Sequence, residues 1–343
     1  MDIKMYNTVK IGTEFTFRRE EFVFGLGDLA WSPSGPKKQV KAQETALNQI
    51  KAAGAEIINW VNDIAAAGKS KKFLKGNTIL ESVMVEPGTK KHDSPFYEAK
   101  KVTLTLVCKG KGEFLKETWT VNFDLDPNCI ELQAEPVTYA FYDRHKEMID
   151  AILFKRATCL PDPRWDVGGG GHISLDLATA FGSHLQWFRN FLVLYAAAVK
   201  GDDSEFAALK YSEDAVNAPF MHEIGMLPEF IKVIDALDQP APTISTIEQL
   251  AQAINTKVYT RIGGSIDDPK LKPIDYPHYQ AVNLEHIIGT PPREQRMEMR
   301  RFEAQRCVGE LLDELRVLFD LLAESRSGKK YGLDGAGQLV QRM

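Results

Sequence analysis

Four segments between Thr78 and Ala134 alternate apolar with polar residues over lengths that suit β-strands. Turn-forming residues separate them, and short connections of this kind favour antiparallel pairing of neighbouring strands. In chain order the segments are TILESVMVE, KVTLTLVC, ETWTVNFDL and CIELQA. This region therefore predicts an antiparallel sheet at the centre of the fold.

Helical periodicity flanks this region in the sequence. Apolar residues recur at helical spacing from about residue 37 to 67, and another helix is predicted from about Thr138. Two more helices are predicted in SHLQWFRNFLVLYAAAVKG and AQRCVGELLDELRVLFDLLAESR, and further strands in VKIGTEFTF, HISLDL, YQAVNLEHI and REQRMEMRRFE. The fold class that follows is α+β, an antiparallel sheet flanked by helices.

The length of 343 residues fits one large domain or two average ones. We expect a single domain over residues 1–326, with a helical insertion at about 202–277. Residues 327–343 are polar and glycine-rich, and we expect them to form a mobile tail.

The charge balance and the cysteines exclude several classes of protein. A net charge of −5 argues against a nucleic-acid binder, because no domain-wide positive field attracts phosphates. The four cysteines form no C-x-x-C pair, so the sequence indicates neither a zinc site nor a disulfide framework, and we expect a reducing cytoplasm. No run approaches the ~18 to 20 apolar residues of a membrane span, so no membrane partner is expected.

A run of four glycines precedes the strand-like segment HISLDL, in the stretch RWDVGGGGHISLDL. A Walker-type phosphate loop needs a Lys followed by Ser or Thr at the start of a helix, and this stretch has neither. The loop is instead expected to deliver His172 to the sheet.

Strand alternation places several ionisable side chains on one face of the predicted sheet. In KIGTEFTF, Glu14 shares its face with Thr16, and in RMEMRRF, Glu298 shares its face with Arg296 and Arg300. This face carries Glu14, Glu131, Glu135, His172, Glu298 and Arg300.

Two interpretations of this polar face stay open. Antiparallel sheets often leave one face to water, so the residues could be solvated. Carboxylates crowded on one face also suit hard divalent ions such as Mg²⁺ or Mn²⁺, whose site a histidine can complete. An arginine beside such a site would match the charge of a metal-bound polyphosphate.

Five motifs along the chain resemble those of the carboxylate-amine ligases, a superfamily that includes glutamine synthetase and glutamate-cysteine ligase. In order they are IGTEF, CIELQAEP, GGGGHISL, YQAVNL and RMEMRRFE, and the late E-x-R-R-F pattern is the most specific. By motif and length the chain is most similar to the amidoligase family. The resemblance covers nearly the whole chain.

This resemblance implies a fold and an activity. The fold is like the catalytic domain of glutamine synthetase, in which the antiparallel sheet forms an active-site funnel. ATP and Mg²⁺ or Mn²⁺ convert a small-molecule or peptide carboxylate into an acyl phosphate, and an amine attacks it to form an amide or isopeptide bond. Closure of the site protects the acyl phosphate from water.

The resemblance also implies roles for individual residues. The expected metal ligands are Glu14, Glu131, Glu135, His172 and Glu298. The expected nucleotide contacts are His172, Arg300, Arg301, Gly170, Gly171 and Ser174. The expected catalytic residues are Glu131, Glu298 and Arg300, with Arg300 at the transferred phosphoryl group. Arg301 is the weaker candidate for that contact, because alternation points it to the other face.

Two positions depart from the pattern of the family. Thr16 stands where a second glutamate is common, and Ser174 stands where a second histidine is common. Asp124 or Asp126 could supply the missing carboxylate. Two alternatives to an active ligase follow: a degenerate ligase fold that binds nucleotide or a partner, and a phosphotransferase that uses similar metal chemistry. Asn283 is expected to hold a strand edge rather than a substrate, and His145 is expected to be a surface or capping residue of a helix rather than a ligand.

Overall fold

The computed structural model describes residues 3–17, 37–70, 73–90, 97–109, 114–126, 129–155, 170–198, 224–260 and 280–342. The chain has a mixed α/β fold with a large antiparallel sheet flanked by helices, which confirms the predicted fold class. It forms two compact units, each built from separate stretches of sequence. The sheet unit comprises residues 12–171 and 304–311, and the helical unit comprises residues 1–11, 172–303 and 312–343.

The described strands are β1 (Lys10–Phe17), β2 (Leu74–Lys75), β3 (Thr78–Pro87), β4 (Lys100–Lys109), β5 (Phe114–Asp126), β6 (Cys129–Thr138), β7 (Gly170–Asp176), β8 (Val282–Asn283), β9 (Arg296–Glu303), β10 (Lys330–Leu333) and β11 (Leu339–Arg342). The described α-helices are α1 (Ile3–Tyr6), α2 (Lys37–Lys69), α3 (Tyr139–Ile149), α4 (Leu177–Ala180), α5 (Leu185–Ala198), α6 (Pro228–Asp235), α7 (Ile247–Ile254) and α8 (Val308–Ser325). Short 3₁₀ turns cover Ala236–Asp238 and Glu285–Ile287, and π-helical turns cover Asp150–Phe154 and Asn255–Tyr259.

In the sheet unit the strands follow the order β2-β3-β4-β5-β6-β1, and the pairs from β2 to β6 are antiparallel. Strands β4 and β5 pair from Lys100↔Phe123 to Lys109↔Phe114. Each of the four predicted strands between Thr78 and Ala134 is present. The short-range pairing that the sequence indicates is therefore the pairing that the structure has.

One face of this sheet is covered by helix α2, which contacts β3, β4, β5 and β6. Trp60 of α2 is buried and packs edge-on against Phe17 and Phe123, at ring-centroid distances of 4.9 and 5.3 Å. Its indole nitrogen donates to the carbonyl oxygen of Ile152 at 2.9 Å. The apolar stripe of the predicted helix thus becomes the core of the sheet unit.

Helix α3 begins where the sequence predicts it. The hydroxyl of Thr138 caps the helix by accepting from the backbone nitrogen of Phe141 at 3.2 Å. Among the side chains that α3 buries is that of His145, which is fully buried.

In the helical unit the strands follow the order β7-β9-β8. Strand β8 pairs with β9 in antiparallel, with Val282 opposite Met299 and Asn283 opposite Glu298. The described part of the predicted helical insertion contains α6 and α7, and its residues 202–223 and 261–277 lie outside the described residues. Within the described ranges, no helix is long and apolar enough to cross a membrane.

The end of the chain differs from the expected mobile tail, because β10 and β11 form an antiparallel hairpin from Lys330↔Arg342 to Leu333↔Leu339. Tyr331 and Leu333 are buried by this pairing. The buried guanidinium of Arg189 in α5 donates to the Tyr331 carbonyl at 2.5 Å and pairs with Asp238 at 2.8 Å. These contacts order a segment whose composition alone reads as polar and flexible.

Candidate functional site

Strand β9 carries a buried carboxylate on one face and two apolar side chains on the other. Met297 and Met299 are fully buried in the core, and alternation turns Arg296, Glu298 and Arg300 to the other face, as the sequence predicts. The Glu298 side chain is only 5% exposed, and a carboxylate this deeply buried requires partners.

Four side chains surround this carboxylate. Oε1 of Glu298 lies 3.2 Å from Nδ1 of His172 and 3.0 Å from Nη1 of Arg300. Oε2 lies 3.1 Å from Nδ2 of Asn283 and 3.3 Å from Nε2 of His286. We call these five residues the Glu298 cluster, and all of them belong to the helical unit.

The electrostatics of the Glu298 cluster favour the ionised carboxylate. Burial by itself raises the pKa of the Glu298 carboxyl group, but hydrogen bonds from His172 and His286 and the charge of Arg300 outweigh it. The pKa is held well below its usual range. Glu298 is therefore an anion near neutral pH, which is the form that binds a cation.

Local structure fixes the direction of each partner. Asn283 lies directly across from Glu298 on β8, and its Oδ1 accepts from the backbone nitrogen of Glu285 at 2.9 Å. This bond turns the amide nitrogen of Asn283 towards Glu298. The 3₁₀ turn that follows carries His286, and the first residues of β7 carry His172.

The donor set of the cluster suits a hard divalent ion. Glu298 offers a carboxylate oxygen and His172 an imidazole nitrogen within 3.2 Å of each other, and sites for Mg²⁺ or Mn²⁺ combine these ligand types. Arg300 adds a fixed positive charge beside them, and a guanidinium can bind phosphate oxygens.

A pair of carboxylates lies in the sheet unit. Glu131 on β6 is directly opposite Asp124 on β5, and both side chains are buried. Gln133 donates to Oε1 of Glu131 at 2.8 Å, and Oδ1 of Asp124 accepts from the backbone nitrogen of Leu125 at 2.8 Å. Of the two aspartates considered as substitutes for a missing ligand, Asp124 is thus the one beside Glu131, and Asp126 is opposite Cys129.

The other predicted site residues have varied positions. Glu14 is half-buried on β1 in the sheet unit, and Thr16 on the same strand is buried. Ser174 is half-buried on β7. Glu135 is exposed and follows Ala134, the last residue of β6 that pairs with β5. The side chain of Arg301 lies outside the described residues.

The last glycine of the run has a steric role. A Cβ atom at Gly171 would lie 2.2 Å from both Nε2 and Oε1 of Gln305, far inside van der Waals contact. Gly170 is the first residue of β7, and the two preceding glycines lie outside the described residues. Gly171 therefore lets the chain pass closely over the buried Gln305 amide immediately before His172.

Two members of the cluster were not among the predicted site residues. Asn283 lies opposite Glu298 on β8 and donates to it, and the strand pairing is the signal that would have shown this. His286 falls within the predicted strand YQAVNLEHI, but the structure ends the strand at Asn283 and places His286 on a 3₁₀ turn.

Comparisons with models of known protein families, with curated proteins and with solved structures find no match. The likeness to the carboxylate-amine ligases therefore rests on the motifs of the sequence, and the geometry of the Glu298 cluster stands on its own.

Proposed function

We propose that the protein is an ATP- and Mg²⁺- or Mn²⁺-dependent ligase that joins a carboxylate to an amine. One observation carries the proposal: Oε1 of the buried Glu298 contacts both His172 and Arg300, and Glu298 lies on the strand that holds the most specific ligase-like motif. A glutamine synthetase-like funnel for the sheet and a cytoplasmic location belong to the same proposal. The free thiol of the described Cys307 is compatible with that compartment.

In the proposed reaction, a carboxylate oxygen of the acid attacks the γ-phosphorus of ATP and ADP leaves. The amine nitrogen then attacks the acyl carbon, inorganic phosphate leaves with the former carboxylate oxygen, and the nitrogen loses a proton. Phosphorylation turns a poor leaving group into a good one.

The residues of the Glu298 cluster would have different roles in this reaction. Glu298 and His172 would hold the divalent ion, whose charge neutralises phosphate oxygens when it is bound. Arg300 would contact the phosphoryl group in transfer, where negative charge is spread over several oxygens. Asn283 and His286 would hold Glu298 in place.

In the sheet unit, Glu131 and Asp124 are proposed as a second divalent-ion position, because two buried carboxylates face each other across one strand pair. Roles for Glu14, Glu135, Gly170, Gly171, Ser174 and Arg301 stay predictions of the resemblance.

A nucleotide-binding module without turnover is the second candidate. Both oxygens of Glu298 already contact protein side chains, and Thr16 is buried where a further carboxylate is common. This arrangement would still bind a metal nucleotide through Arg300 and His172.

Isotope transfer separates these possibilities. Purified protein is incubated with ATP, Mg²⁺, a panel of amines and acids labelled with ¹⁸O in the carboxylate, including glutamate and cell-wall peptides. The ligase predicts ADP release only with both substrates, and one ¹⁸O atom in each phosphate released. A phosphotransferase would give ADP and a phosphorylated product without an amide, and a binding module would give no ADP; either result would refute the ligase.

A further inference from the structure

Arg296 lies on the same face of β9 as Glu298 and Arg300 but has a different set of partners. Its Nη2 lies 3.2 Å from Nε2 of His286, and within the described residues it forms no ion pair with a carboxylate. Seven other described arginines each pair with an acidic side chain: Arg144, Arg189, Arg293, Arg300, Arg306, Arg316 and Arg342. The half-buried guanidinium of Arg296 therefore stands apart from these.

His286 cannot satisfy both of its neighbours through one nitrogen. A guanidinium only donates hydrogen bonds and a carboxylate only accepts them, and Nε2 of His286 faces both Arg296 and Glu298. When Nε2 carries a proton it donates to Glu298, and Arg296 then has no acceptor among the described residues.

Arg296 and Arg300 contribute two permanent positive charges on one face of β9. A half-buried guanidinium that forms no ion pair with a described carboxylate is stabilised by an added anion. A guanidinium fork matches the two oxygens of a carboxylate or phosphate group in particular.

We propose that Arg296 forms a second oxyanion-binding position at the edge of the Glu298 cluster, beside His286 and separate from the phosphoryl contact at Arg300. The position takes a carboxylate or phosphate group of a substrate through the Arg296 guanidinium, with His286 turned towards Glu298. The inference rests on the proposed function in one respect only, that the anion belongs to a substrate.

Direct binding tests the position without any turnover. Calorimetry with glutamate, with inorganic tripolyphosphate and with the Mg²⁺ complex of a non-hydrolysable ATP analogue is run on the full chain. Arg296→Gln is expected to weaken at least one probe about tenfold or more. A loss of affinity for glutamate alone identifies the acid substrate as the source of the anion. A loss of affinity for tripolyphosphate and the ATP analogue alone identifies the nucleotide as the source.

Two further variants guard against a merely structural effect. Arg293→Gln is the matched control, because Arg293 is 86% exposed and, among the described residues, pairs with the adjacent Glu294. The affinity of this variant for each probe should stay within about twofold of that of the unchanged protein. Arg296→Lys keeps the charge but not the fork, and should recover part of the lost affinity.

The proposal is overturned if Arg296→Gln binds every probe as the unchanged protein does, or if the unchanged protein binds none. A protein that binds the probes through Arg296 but fails the isotope test would refute the ligase and leave the oxyanion position standing.

Discussion

Glu117 in the sheet unit and Glu298 in the helical unit are both held by histidine and arginine, but the two networks are connected differently. Glu117 accepts two bonds from Arg144, at 2.8 and 2.9 Å, and one from Nε2 of His145 at 2.8 Å. The other ring nitrogen of His145 lies 2.9 Å from the hydroxyl of Thr78. One carboxylate balances one guanidinium, and every ring nitrogen and carboxylate oxygen has a short hydrogen bond.

The Glu298 cluster is looser. Its contacts are 3.0 to 3.3 Å long, and the neighbouring Arg296 forms no ion pair with a described carboxylate. The same three residue types therefore build a closed network around Glu117 and a more open one around Glu298, and the lengths of the contacts and the pairing of the arginines distinguish the two.

The largest expected effect is on turnover, which should depend on the Glu298 cluster and not on the Glu117 network. Glu298→Gln should lower ATP-dependent turnover about 100-fold or more, roughly 2.7 kcal/mol, because an amide neither binds a divalent ion well nor balances Arg300. ADP release under saturating substrates measures it. Glu117→Gln is the control and should keep turnover per folded molecule within about twofold. Equal losses in the two variants would erase the distinction.

The second effect is on stability, for which the histidine of the Glu117 network is expected to matter more than His286 of the Glu298 cluster. His145→Leu should lower the free energy of unfolding by about 2 kcal/mol, because it removes the short buried hydrogen bonds of the imidazole to the Thr78 hydroxyl and to Glu117. His286 is 31% exposed, so His286→Leu should cost less than about 1 kcal/mol. Urea denaturation followed by circular dichroism measures both. A greater cost at His286 would mean that the helical unit depends on its cluster for stability.

The difference between these networks is only partly readable in the sequence. Alternation places Glu298 and Arg300 together on β9, since methionines on either side define the buried face. It also places Arg296 there, but alternation does not reveal that its charge lacks a carboxylate partner. That property depends on which side chains surround it in three dimensions.

The sheet-unit network was missed for a related reason. His145 reads as a surface or capping residue of a helix, yet it is fully buried because Glu117 and Thr78 arrive from two strands distant in sequence. By contrast, the antiparallel pairing over β3 to β6 follows from local alternation and turns, and it was predictable. Local pattern determines elements, whereas partners across long sequence separations determine sites.

The smallest effect is a pH dependence of stability. Burial raises the pKa of Glu117, but the bonds from His145 and Arg144 outweigh it and lower the pKa from 4.5 to about 2. A lowered folded-state pKa gives stability that is present above about pH 4.5 and is lost as the pH falls towards about 2. Partial exposure of Glu117 limits the amount to about 1 kcal/mol.

Urea denaturation at about pH 5 and about pH 2.5 measures this loss as a difference between the unchanged protein and Glu117→Gln. The gap between their unfolding free energies should narrow at the lower pH. A gap that stays constant would show that Glu117 titrates alike in the folded and unfolded chain.

The most direct test of an open Glu298 cluster beside a closed Glu117 network is Mn²⁺ binding in the presence of a non-hydrolysable ATP analogue. Calorimetry should show that Glu298→Gln weakens binding about tenfold or more, whereas Glu117→Gln binds as the unchanged protein does. Unchanged binding in Glu298→Gln, or an equal loss in Glu117→Gln, would contradict the account.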